Sequence, residues 1–89
     1  MRTIKISSNI DFKHLFDNHT EPYALVYTEK IVSFYDKPNE RGCWEHVKEI
    51  GEYDQVEYFN SINELQQREL ILSKITNKNY YNFSHHFNN

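Results

Sequence analysis

The sequence is short of the residues that build glycine-rich loops and disulfides. Its 89 residues include two glycines and one cysteine. Gly42 and Gly51 are far apart in the chain, so no glycine-rich phosphate-binding loop can be drawn. Cys43 is alone, which excludes an intramolecular disulfide and a cysteine-rich zinc site. The sequence therefore argues against a glycine-loop nucleotide enzyme and excludes a disulfide-stapled fold.

Long apolar runs are also missing. No stretch approaches the roughly 20 apolar residues that a bilayer-spanning helix needs. Residues 1–10 hold no apolar run of the kind that marks a signal peptide. A chain of 89 residues is expected to form one domain. We therefore expect a soluble cytoplasmic protein that makes no contact with a membrane.

The histidines and the cysteine lack the spacing that metal sites and nucleophiles need. His14 and His19 are not four residues apart, the spacing that aligns two ligands on a helix. His85 and His86 are adjacent, so their side chains diverge. Cys43 could share a helix face with the histidine three residues later, but no third residue orients such a pair. We predict no catalytic residue, no bound metal and no cofactor, and hence no enzyme activity.

Local patterns in the first half of the chain predict a strand, a helix and a strand pair. Thr3–Ile6 alternates polar and apolar residues, as an N-terminal strand does. An apolar stripe that follows a possible capping box predicts a helix over about residues 9–18. The apolar runs Tyr23–Tyr27 and Ile31–Tyr35 predict two strands joined by a hairpin at Thr28–Lys30.

The second half of the chain begins with a predicted loop at Asp36–Gly42, which contains proline, asparagine and glycine. Trp44–Ile50 fits both a strand and a helix, and the strand is favoured. The reason is that Gly51–Asp54 resembles a hairpin turn and Gln55–Phe59 resembles a returning strand.

A second helix is predicted over residues 62–77. It has a possible capping box at its start and an apolar stripe along one face. The predicted buried residues are Ile62, Leu65, Leu72 and Ile75. Residues 80–89 form an aromatic and histidine-rich tail that either frays or packs onto a domain spanning residues 1–79.

These elements predict an α+β fold. The expected architecture is a small two-layer domain with a mostly antiparallel sheet of four to five strands and two helices packed on one face.

One short segment concentrates the charge. Glu45–Tyr58 carries a net charge of −4 and the rest of the chain carries +1, which gives the formal −3. Acids beside aromatic side chains are typical of surfaces that meet a basic partner. We therefore predict a partner-binding set: Trp44, Glu45, Glu49, Glu52, Tyr53, Asp54, Glu57 and Tyr58.

The expected function is a small acidic protein-binding module whose partner is a protein with a basic surface. One version is a phage or mobile-element inhibitor whose carboxylates imitate nucleic acid and block a host enzyme. The alternative is an accessory subunit or homo-oligomeric structural protein with an interacting aromatic tail, and a nucleic-acid-binding protein or small enzyme is a distant alternative. The lysines and arginines show no run and the net charge is −3, which argues against direct nucleic-acid binding.

Overall fold

Four strands form one curled sheet in the computed structural model, which describes residues 1–75 and 79–88. The elements are β1 (Arg2–Ser8), a 3₁₀ helix (Phe12–His14), β2 (Tyr23–Pro38), β3 (Trp44–Phe59), α1 (Ile62–Ser73) and β4 (Tyr80–Phe87). The strand order is β1-β3-β2-β4. β1 runs parallel to β3, and the two other pairs are antiparallel.

The predicted fold class is wrong, because the described residues contain one α-helix rather than two on a shared face. Strands make up 55% of these residues and helices 18%. The predicted helix over residues 9–18 is a single 3₁₀ turn followed by a tighter turn. Asp11 caps the 3₁₀ turn by accepting a hydrogen bond from the Lys13 amide at 3.0 Å, and Asn18 adopts a positive φ of 64°. So short an apolar stripe gives little helical stability, and Asp and Asn favour turns.

Both predicted hairpins are wrong as well, because β2 and β3 are each continuous over 16 residues. Thr28–Lys30 contains none of the residues that two-residue turns require, and it stays in register with β3. Gly51 lies in mid-strand opposite Ile31, where it is covered by the ring of Tyr53. The strand assignment of Trp44–Ile50 is confirmed.

The β2–β3 connection occupies residues 39–43, which overlap the predicted loop of residues 36–42, while residues 36–38 belong to β2. The Asn39 side-chain oxygen accepts hydrogen bonds from the amides of Arg41 and Cys43 at 2.9 and 3.0 Å. Gly42 takes a positive φ of 78°, which favours glycine. The loop therefore forms where an asparagine side chain can accept hydrogen bonds from backbone amides and a glycine can take a positive φ.

Helix α1 packs on one face of the sheet. Ser61 caps it by accepting a hydrogen bond from the Glu64 amide at 3.3 Å. Leu65 and Leu72 are buried as predicted, Ile62 is half-buried, and Ile75 is 37% exposed beyond the helix end. Two residues of the predicted helix, 76 and 77, lie outside the described residues.

Two hydrophobic clusters lie on opposite faces of the same end of the sheet. Under α1, Leu25 and Tyr27 pack with Leu65 and Leu72, and aromatic residues of β4 complete this cluster. On the other face, the chain between β1 and β2 brings Leu15 onto alternate residues of β2. The residues predicted as an aromatic tail thus form an edge strand, β4, that contributes to the core.

The other end of the sheet projects from the rest of the molecule without a second layer, and Val47 is the large apolar residue that is buried there. β4 pairs with β2 only from Tyr23 to Glu29, and every residue from Ile31 to Asp36 is exposed. The molecule measures 55 × 29 × 14 Å, and its radius of gyration is 17.4 Å. A compact domain of this length would have about 12 Å. We call β1 together with residues 30–52 the arm, and the remainder the body.

Candidate functional site

The arm presents two chemically different faces. Side chains alternate along a strand, so neighbouring residues of β3 point to opposite sides of the sheet. The registers of β1 and β2 against β3 then fix which residues share a face. One face continues the side covered by α1, and the other continues the side covered by the 3₁₀ segment.

The first face combines tyrosines, carboxylates and isoleucines, and we call it the tyrosine–glutamate face. It is defined by Ile4, Ile6, Ile31, Tyr35, Glu45, Glu49 and Tyr53. The Tyr35 hydroxyl donates to Glu49 Oε2 at 2.9 Å, a hydrogen bond that raises the pKa of Tyr35. Arg2 Nη1 lies 3.4 Å from Glu45 Oε1. Both contacts are exposed, so the carboxylates remain accessible.

An apolar strip crosses the tyrosine–glutamate face. Ile31 and Ile6 flank Gly51 in register, and they are 44% and 40% exposed. The Tyr53 ring lies over Gly51 so closely that a Cβ atom added to the glycine would lie 2.8 Å from Tyr53 Cζ. An aromatic ring over a strand glycine restores packing that the glycine lacks. Gly51 is therefore covered by the Tyr53 ring, while the two flanking isoleucines remain exposed to solvent.

The second face carries lysines and exposed aromatic rings, and we call it the lysine–aromatic face. It is defined by Lys5, Lys30, Val32, Phe34, Trp44, Lys48 and Ile50. Phe34 is 66% exposed and Trp44 is 74% exposed. Lys48 Nζ lies 6.0 Å from the centroid of the Phe34 ring.

The eight residues predicted as one partner-binding set divide between the two sides of the sheet. Four of them share the side of the tyrosine–glutamate face: Glu45, Glu49, Tyr53 and Glu57. Four share the opposite side: Trp44, Glu52, Asp54 and Tyr58. One continuous strand segment cannot present all its residues on one surface. As a binding set, the eight residues stay a prediction.

Two of these residues are engaged within the body. Asp54 accepts hydrogen bonds from the Thr28 hydroxyl at 3.0 Å and from the Ile10 amide at 3.3 Å. The Tyr58 hydroxyl donates to the Leu15 carbonyl at 2.5 Å. Both residues therefore attach the segment between β1 and β2 to the sheet.

Glu57 is also part of the body. It accepts a hydrogen bond from the Tyr27 hydroxyl at 2.7 Å, and Arg68 Nε of helix α1 donates to the same carboxylate at 3.0 Å. Burial of Tyr27, followed by its hydrogen bond to Glu57, raises the pKa of Tyr27. This network joins α1 to the sheet.

The charge split of the linear sequence changes in three dimensions. The arm contains six lysines and arginines against five acids, and the rest of the chain contains four against eight. The arm thus carries +1 and the remainder −4. Cross-strand neighbours cause the change, because Lys30 pairs with Glu52 and Lys37 with Glu45. Two of the five acids of the segment, Glu45 and Glu52, therefore have a lysine as cross-strand neighbour.

Sequence reasoning missed the exposed residues of β2, above all Phe34 and Tyr35. The run of β-branched and aromatic residues at Ile31–Tyr35 predicts a strand, but it does not show that no second layer covers it. Cys43 is exposed at the tip of the arm. Within residues 1–75 and 79–88, no group of three or more metal-ligating side chains is found. That the protein binds no metal stays a prediction.

Comparisons with protein family models, with curated proteins and with solved structures found no match. Among the helices of the described residues, none is both long and apolar enough to cross a membrane.

Proposed function

We propose that the protein is a small protein-binding module that docks its partner on the tyrosine–glutamate face of the arm. The observation that carries this proposal is the apolar strip across Gly51, in which Ile6 and Ile31 are exposed to solvent on a sheet without a covering layer. Apolar patches bordered by polar residues are typical of protein interaction sites. A partner would supply the missing second layer.

The neighbouring groups define the chemistry of the partner. Glu49 lies in the row next to the strip, and Glu45 lies about 13 Å further along β3 toward the tip of the arm. Tyr35 lies in the row between these two acids, and Tyr53 covers Gly51. Carboxylates orient a basic partner and speed its association, whereas tyrosines supply contact area at the centre of interfaces. The best fit is a protein surface with apolar side chains flanked by Lys or Arg.

The spacing of the acids does not favour imitation of nucleic acid. Glu45 and Glu49 share a face at a separation of four strand residues, about 13 Å. Phosphates advance only about 3.4 Å along each strand of a DNA duplex. We therefore propose docking of a basic protein surface and do not extend the proposal to a phosphate mimic.

Cys43 provides a direct way to capture the partner. It is the only cysteine, and it is exposed at the tip of the arm. We would attach a benzophenone to Cys43 by maleimide chemistry, irradiate in extract of the encoding organism and identify adducts by mass spectrometry. The matched control carries Cys43→Ser and Lys74→Cys, which moves the probe to the exposed end of α1. An adduct specific to the arm probe identifies the candidate partner.

The captured protein is then tested in a purified binding assay. Tyr35→Ala should speed dissociation about tenfold or more, and Glu49→Lys should slow association and weaken its dependence on salt. Glu64→Lys, a matched charge reversal on α1, should leave binding unchanged. Unchanged binding in both arm variants would refute the proposal. An adduct between two copies of the chain would favour the homo-oligomer instead.

A further inference from the structure

Three lysines from three different strands converge on the lysine–aromatic face. Lys5 of β1 is paired with Ile50, Lys48 lies two residues before Ile50 on β3, and Lys30 of β2 is paired with Glu52. Strand spacing of about 5 Å and a two-residue step of about 7 Å place the three ammonium groups around one apolar centre. A groove of about 340 Å³ lies there, bordered by Lys5, Lys30, Ile50 and Glu52. The sequence scatters these lysines over more than 40 positions, and the fold brings them together.

Planar side chains continue this face toward the tip of the arm. Phe34 is paired with Lys48, and Trp44 lies two rows further out, opposite Pro38. His46 occupies the row between them. Adjacent rows on one face are about 7 Å apart. The rings thus form a line of exposed π surfaces beside the lysines.

The two carboxylates of this face are already engaged. Asp36 Oδ1 lies 2.5 Å from His46 Nδ1. Glu52 is the cross-strand partner of Lys30 and lines the same cavity as Tyr81. Counting three lysines against these two acids, the face carries a net charge of +1 with the histidine neutral. The remainder of the chain outside the arm carries −4 and repels phosphate, so an anionic strand is directed onto the arm.

We propose that the lysine–aromatic face binds single-stranded nucleic acid. Phe34 and Trp44 stack with bases, while Lys5, Lys30 and Lys48 contact the phosphates. Open sheet faces with exposed rings and basic neighbours bind unpaired strands by this combination of stacking and charge. A duplex hides the flat faces of its bases inside the stack, so these rings discriminate against it. The sequence argues against nucleic-acid binding on two grounds, the scatter of the basic residues and the net charge of −3. The sheet gathers the basic residues, and the arm itself carries +1 because the negative charge lies outside it.

Trp44 is the only tryptophan, so its fluorescence reports occupancy of the face directly. Labelled oligothymidine and oligouridine of about ten nucleotides, on the order of one binding-site length, would be titrated with the full chain at low salt. We expect a rise in anisotropy and quenching of Trp44 at the same midpoint, and weaker binding of a matched duplex. Phe34→Ala and Trp44→Ala should each weaken binding roughly tenfold. Lys48→Glu should weaken it and reduce the salt dependence.

Two controls separate a defined site from general attraction. Phe87→Ala removes an exposed ring from the other face of the sheet, and Lys74→Glu reverses a charge in the body. Both should leave the affinity within about twofold. The absence of binding, or an equal loss in Lys74→Glu and Lys48→Glu, would overturn the proposal. If Trp44 were quenched as the protein concentration rises, with no oligonucleotide present, the proposal would also be overturned. The face would then be assigned to contacts between protein molecules. Tyr35→Ala, the variant that tests the protein-docking face, should leave oligonucleotide binding intact, so either proposal can fail alone.

Discussion

Tyr27 places its hydroxyl in the core beside a carboxylate that also binds an arginine. Only 6% of Tyr27 is exposed, and its hydroxyl donates to Glu57, which Arg68 of helix α1 holds from the other side. The negative carboxylate and the buried position both oppose ionisation of the phenol, so the pKa of Tyr27 is raised. Because native Tyr27 keeps its proton at high pH, the free energy of unfolding depends on pH in the alkaline range.

The sign of this dependence follows from proton binding. As pH rises past about 10, an unfolded tyrosine loses its proton while native Tyr27 retains it, so the free energy of unfolding falls. Tyr27→Phe should cost about 1 kcal/mol near neutral pH. It should also flatten the decline between about pH 8 and about pH 11, which urea unfolding at both pH values would measure. Tyr53→Phe removes a hydroxyl outside this network and serves as the control. Parallel declines in Tyr27→Phe and the wild type would contradict this account.

Helix α1 is held to the sheet by few residues, and Leu72 is central among them. It is 3% exposed and packs with Leu25, Tyr27 and Leu65. Leu72→Ala should lower the free energy of unfolding by about 2–5 kcal/mol, because it leaves a cavity at a full core position. Urea unfolding would measure this change.

The neighbouring Ile71 provides the matched control for that measurement. It is 56% exposed and lies about 100° around the helix from Leu72. Ile71→Ala should change the free energy of unfolding by no more than about 0.5 kcal/mol. Equal losses in the two variants would mean that α1 does not pack as described.

At the level of elements, local patterns in the sequence predict which segments extend but not where they turn. Tyr23–Tyr27 and Ile31–Tyr35 are both strand in the structure, yet they belong to one strand because Thr28–Lys30 has no turn-forming residue. Gly51 was interpreted as part of a turn, but in the structure it lies in mid-strand beneath the ring of Tyr53. The helix from Ile62 to Ser73 could be predicted because its cap and its buried leucines lie close together in the sequence.

The candidate sites were harder to predict, because they depend on pairing between distant segments. The sequence placed Glu45 and Glu49 in an acidic segment, but not Arg2 and Tyr35 as their neighbours. Only the strand register determines that contact, and a shift of one residue would exchange the two faces of the arm. Register depends on long-range packing, which local sequence patterns do not contain.

The whole molecule is elongated because its core occupies one end of the sheet. Both hydrophobic clusters lie against the body half of β2, and the arm carries apolar residues on two uncovered faces. Small isolated sheets of this kind gain stability when another layer packs on them. The separation of a packed body from a bare arm is therefore consistent with a protein that acts through contacts made by the arm.

This shape leads to a prediction for the free protein in solution. Small-angle X-ray scattering on a monomeric size-exclusion peak should give a radius of gyration near the 17.4 Å of the structure, rather than the roughly 12 Å of a compact domain. Removing residues 33–36 and 46–49, which pair with each other, should shorten the longest dimension by about 13 Å. The deletion removes an even number of residues from each strand, so both faces keep their orientation. A compact wild type, or a deletion variant of unchanged length, would show that the arm folds back on the body. Both proposed binding faces would then lose the exposure on which they depend.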